Sequence, residues 1–126
     1  MEKEIRYELL QVIPELEDNI YPTNAPEESA KPYLVYYLDG GEDLKTLEGY
    51  LDHGECHYLF SCMAKRYSDM KDFTSKIEQC LKTFPGRAIG EDENLLIQDI
   101  QIRKPKEVWE PELKLNRGII DCIIYY

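Results

Sequence analysis

Histidine, tryptophan and cysteine are scarce in this chain, and their scarcity limits the chemistry it can support. Among 126 residues there are two histidines, His53 and His57, one tryptophan, Trp109, and four cysteines, at positions 56, 62, 80 and 122. No CxxC pair occurs and the cysteine spacings match no disulfide framework, so buried free thiols are the expectation. No segment approaches the ~20 consecutive apolar residues of a membrane-spanning helix. The opening MEKEIRYELLQVI is charged and amphipathic, without a signal-peptide core or a small-residue cleavage site. The expectation is a chain made and kept in the cytoplasm, with no membrane partner. No glycine-rich phosphate loop precedes a helix; Gly40-Gly41 runs into acids, which repel phosphate.

Positive charge is also short. Fifteen Lys and Arg face 25 Asp and Glu, for a formal net charge of −10. The deficit lies wholly in residues 1–55, which hold 14 acids and 4 bases, whereas residues 56–126 hold 11 of each. Neutralising phosphates needs clustered Lys and Arg, so tight nucleic-acid binding by the chain as a whole is not expected. One acidic half and one balanced half suit head-to-tail self-association; a solvated acidic surface without a partner is the competing reading.

The length fits one domain, 1–126, that buries roughly two-thirds of its unfolded surface. Ile5, Leu9, Val12 and Ile13 form one apolar stripe at helical spacing, and Pro14 ends that helix, with Leu16 and Ile20 continuing the contact. Pro22, Pro26 and Pro32 exclude helix and central strand from the strap that follows. Tyr21, Ala25 and Lys31, each preceding a proline, are pushed toward extended geometry. Tyr33 to Leu38 is a first strand, and DGGEDLKTLEGYLDHG reads as a long, partly mobile hairpin arm with room for a helical turn.

A second strand spans Glu55 to Ala64, with Cys56, Tyr58, Phe60, Cys62 and Ala64 on its apolar face. Ser68 then suits the N-cap of a helix carrying Met70, Phe73, Ile77, Cys80, Leu81 and Phe84, which stops at Pro85-Gly86. Leu95 to Arg103 and Lys114 to Tyr126 read as a closing hairpin, with Trp109 on its proline-bounded tip. The expected fold is α+β: an antiparallel sheet of about four strands with two helices packed on one face, in the order α-β-β-α-β-β.

No constellation of catalytic or metal-binding residues stands out. His53-Gly54-Glu55-Cys56-His57 is the sole cluster of metal-ligand types, but on a strand Cys56 and His57 point to opposite faces, and tetrahedral zinc needs three or four converging donors. A cysteine nucleophile wants a base and an electropositive setting, whereas Cys56 sits among acids and the other three fall on apolar faces. The carboxylate pairs Glu27-Glu28, Glu42-Asp43 and Glu91-Asp92-Glu93 lie on loops without convergent geometry. We therefore expect no catalytic residue, no metal and no cofactor. Ten tyrosines lie amid acids rather than in a basic groove, which suits protein contact or plain coverage of sheet surface better than base stacking. The interface residues expected on these grounds are Asp39, Glu42, Asp43, Leu44, Leu47 and Tyr50 of the arm, with Trp109.

In element order the chain resembles the tail-completion, or head–tail joining, proteins of long-tailed bacteriophages and their prophages. The resemblance rests on the leading helix, then Asn19-Ile20-Tyr21-Pro22…Ala25-Pro26…Lys31-Pro32-Tyr33-Leu34-Val35-Tyr36, a glycine-containing arm, and the strand-to-helix unit Glu55–Ala64 followed by Tyr67–Met70. The hairpin ending Gly118–Tyr126 closes it. The acidic arm of residues 39–52 departs from the family pattern. The resemblance implies a non-catalytic virion subunit, held in the host cytoplasm before assembly. Such subunits form rings, commonly of six, that cap the tail tube and dock on the head connector while DNA passes through unbound. The acidic half meeting the Lys and Arg of 65–82 and 103–117 would supply the heterologous contact a ring needs, and an acidic lumen would avoid gripping DNA. The alternative is a small acidic inhibitor- or immunity-type module that masks a basic partner surface.

Overall fold

The computed structural model describes residues 1–17, 19–22 and 32–126, so Ala25, Pro26, Lys31 and the Glu27-Glu28 pair lie outside the described residues. Helix α1, Glu2–Val12, buries Ile5 and Leu9. Pro14 has no N–H to continue it, and a short 3-10 turn, Pro14–Leu16, follows. Val12 does not belong to the buried stripe: it is 54% exposed. The backbone leaves helical geometry at Ile13, and burial passes to Ile13 and Leu16 instead.

Strand β1, Ile20–Pro22, lies parallel to β2, Tyr33–Thr46, with Ile20 opposite Leu34. It sits at the sheet edge, where Pro22 costs no interior ladder bond. β2 turns back into β3, Gly49–Ala64, and helix α2 covers Tyr67–Lys82. β4, Arg87–Ile89, and β5, Leu95–Ile97, form a separate two-stranded ladder. β6, Asp99–Ile102, β7, Lys106–Glu110, and β8, Leu115–Tyr125, complete the main sheet in the order β1-β2-β3-β8-β6, with β7 also beside β8. The eleven-residue β8 serves two short partners in tandem: β7 pairs with residues 115–119 and β6 with residues 122–125.

The architecture is α+β, with two helices on one face of a mostly antiparallel sheet. Among the described residues the sheet has six strands rather than about four, a further pair lies apart from it, and the order is not α-β-β-α-β-β: three strands stand between the helices and five follow α2. The run Leu95–Arg103 is not one strand: Leu95–Ile97 pairs with β4 and Asp99–Ile102 with β8. Apolar alternation marks extended chain without saying which neighbour it pairs with, so the sheet change at Gln98 has no local signal. Trp109 lies within β7, opposite Asn116, rather than on a hairpin tip; the turn comes later, after Glu110. Nor does Ser68 cap α2. The helix begins at Tyr67, two residues earlier than a Ser68 cap would place it, Arg66 holds the N-cap position, and no side chain bonds back to the first turn.

One core lies between the helices and the sheet. Ile5 and Leu9 of α1 and Ile77 and Leu81 of α2 meet Leu34, Phe60 and Ile120 from three adjacent strands. Full burial of each such side chain is worth about 1.5–3 kcal/mol. A small second cluster, Tyr33, Met63 and Leu115, sits on the opposite face with Tyr21 and Val35 against it.

Candidate functional site

The β2–β3 hairpin outruns its neighbours. β1 covers β2 only as far as Tyr36, and β8 covers β3 only from Glu55 onward. Residues beyond those points continue as a two-stranded ribbon, with Thr46 opposite Gly49 at the tip. This is the arm expected from the sequence, but it contains no helical turn: its residues are strand apart from a turn at Leu47 and Glu48. Thr46 Oγ1 accepts a hydrogen bond of 3.2 Å from the Glu48 N–H and tightens that turn.

Glycines shape the base of the arm. A register shift between Leu38 and Gly41 marks a bulge, where Gly40 and Gly41 take φ of +84° and +148°. A Cβ at Gly41 would run into the Glu55 carbonyl oxygen, and one at Gly54 into that of Glu42. Tyr126 holds the same base from the other side. Its N–H and C=O exchange bonds of 3.0 and 3.1 Å with Gly54, and its hydroxyl donates to Asp43 Oδ1 at 3.0 Å. Burial first, then the Asp43 carboxylate, push the Tyr126 phenol up to about 12.

Beyond that base the arm's apolar side chains stand exposed. Leu47 is 108% exposed, Tyr50 72% and Leu44 55%. Lys45 Nζ stands 5.1 Å from the Tyr50 ring centroid, a cation–π contact. Of the expected interface residues, Asp39, Glu42, Asp43, Leu44, Leu47 and Tyr50 thus share one projecting ribbon. Trp109 does not join them. It pairs with Asn116, which pairs in turn with no residue nearer the arm than Ala64, at the far end of β3. Fifteen residue steps separate Gly49 from Ala64, about 50 Å of strand.

At that far end a groove of about 640 Å³ runs between α2 and the segment leading into β7. Tyr67, Met70 and Pro105 give it apolar surface; Lys71 and Lys104, with Asp72, Glu78 and Glu107, give it charge. Lys71 Nζ donates to Glu107 Oε1 at 2.9 Å. The Tyr67 hydroxyl shares the Glu107 carboxylate, which raises the phenol pKa and lowers that of Glu107. Trp109 stands two residues on from Glu107, on the same face of β7. Tyr67 is 54% exposed and Trp109 52%. The sequence reading missed this groove because it depends on α2 and β7 meeting across 36 residues. The one available signal was the density of Lys and Arg in 65–82 and 103–117.

The interior offers no activated nucleophile among the described residues. Burial pushes Cys62 and Cys122 up to about 12 and Cys80 to about 11. Cys56 is half-buried and also raised, chiefly by burial. His53 meets Gln98 across 3.4 Å, and His57 Nε2 lies 3.9 Å from Glu55 Oε1. Among the described residues no three His, Cys, Asp or Glu side chains group to hold a metal ion. No helix among them is long and apolar enough to cross a membrane.

No family model matches the chain, and no curated protein matches it at a significant level. Solved structures do. The chain is similar to one in the virion of the native gene transfer agent (GTA) particle, at 12% sequence identity and a TM-score of 0.60. The likeness covers 93% of this chain and 82% of that one. At that identity it shows a shared fold over nearly the whole length.

Proposed function

We propose that this protein is a non-catalytic structural subunit of a phage-like particle, of the tail-completion type. Its role is to cap the finished tail tube and join it to the head connector, as a ring through which DNA passes without specific binding. The observation that carries this reading is the fold shared with a chain of the GTA virion over 93% of the present sequence. The geometry supports it: Leu44, Leu47 and Tyr50 are exposed on a ribbon at one end of the sheet, and Tyr67 and Trp109 are half-exposed at the other.

A ring needs two different surfaces on one subunit, and the arm and the far end of the sheet are two such surfaces. The ring of six and its partners, the tail tube protein and the head-connector protein, are part of the proposal. Deleting the gene tests it. The expected result is separate heads and tails in electron micrographs, with joining restored by the gene in trans. Particles that assemble and deliver DNA normally without the gene overturn it.

A further inference from the structure

The arm has an unpaired edge. β8 pairs with β3 from Glu55 onward, and Tyr126 carries that ladder one residue further, to Gly54. Among the described residues no strand lies beside residues 49–53 on that side. A two-stranded ribbon is marginally stable in water, and a third strand is what steadies one. Leu47 at the turn, then Tyr50 and Leu51, are all exposed along this edge. An open edge of this kind is a template for a further strand, whose backbone supplies the ladder bonds.

Charge says which strand. Between Lys45 and Lys65 the chain has no Lys or Arg, while Glu48, Asp52 and Glu55 lie in that stretch. Glu55 meets only His57, at 3.9 Å, and no Lys or Arg reaches Glu48 or Asp52 among the described residues. Two arms laid edge to edge would set these carboxylates against one another, which disfavours the arm of a second copy.

We infer that this edge takes up an extended, Lys- or Arg-bearing segment of a different protein as a third strand. Backbone bonds to residues 49–53 hold it. Its apolar side chains cover Tyr50 or Leu51, and its basic ones face Glu48, Asp52 and Glu55. The inference rests on the reading of the protein as an assembling subunit and gives the chemistry of one partner. It concerns an added strand, not the contact between neighbours in a ring.

The probe is a blocked peptide alternating lysine and valine, titrated into the full chain at low salt and followed by amide NMR. Shifts and slowed exchange are expected at residues 49–53, with the amides of Phe60 and Ile120 unchanged. The same peptide with alternate backbone nitrogens methylated keeps its charge but cannot form the ladder. It should bind at least ~10-fold more weakly. Glu48→Gln with Asp52→Asn should cost at least ~5-fold, and a glutamate–valine peptide should not bind.

Equal binding of the methylated or the glutamate peptide, or unchanged affinity of the variant, overturns the inference. So do shifts confined to other residues, no binding up to ~1 mM, or self-association of the free chain through residues 49–53. Separate heads and tails in the gene-deletion strain, alongside any of these results, sink this inference alone and leave the assembly role standing.

Discussion

Tyr126 and Asp43 are 83 positions apart in sequence, yet the tyrosine hydroxyl donates to the aspartate at 3.0 Å and ties the last strand to the base of the arm. The bond fixes where the ribbon leaves the sheet. Tyr126→Phe keeps the ring and removes the donor. It is expected to cost about 1 kcal/mol or less in global stability. Amide exchange should nevertheless quicken in residues 42–54 while core amides of Phe60 and Ile120 stay unchanged. The phenol titrates higher in the folded chain than in the unfolded one, so the bond's contribution is complete below pH ~10. It is lost as pH rises through about 12. Unchanged exchange in the arm would show that the bond does not set its position.

Gly118 is where α2 crosses β8. A Cβ there would collide with Thr74 Oγ1 and come within 3.0 Å of Met70 Sδ. Gly118→Ala should therefore destabilise by about 1–3 kcal/mol through overpacking, measured by urea unfolding. Adding Thr74→Ala removes the first obstacle and should recover part of the loss. A single variant as stable as wild type would mean that the helix lies farther from the strand than described.

The thiols offer a chemical readout of burial. In the native chain at pH 8, Cys56 is expected to react with iodoacetamide first, being the half-buried one. Cys62, Cys80 and Cys122 should lag by ~100-fold or more, since each is buried and its thiolate disfavoured. All four should label together in denaturant. Fast native labelling at Cys62 would place a reactive thiol where the fold has none.

Much of the fold was legible because it rests on local periodicity. The α2 stripe from Met70 to Leu81 and the apolar face of β3 follow directly from spacings of 3.6 and 2, although the helix stops at Lys82, before Phe84. The prolines excluded helix and central strand, and Pro22 lies in an edge strand, whose pairing with β2 the reading of a plain connector did not include. What stayed hidden depends on pairing between distant segments. The division of β8 between β6 and β7 is one instance; the placement of Trp109 inside β7 is another.

The arm illustrates both sides. Its existence was readable from Gly40-Gly41 and the polar run that follows. Its continuous ladder was not, because Leu44, Leu47 and Leu51 at three- and four-residue spacing imitate a helix while pairing decides for strand. The groove had no sequence signature at all, because its walls come from α2 and the segment before β7.

The most direct test of the account is to locate the protein in the particle. Purified protein carrying a small electron-dense label would be added to tail tubes assembled without it, and the tubes imaged. The account predicts label at one end of each tube, the end that meets the head, and recovery of joined particles when heads are supplied. Label along the tube shaft, or no binding to tubes by a protein that turns over a small substrate, would contradict it.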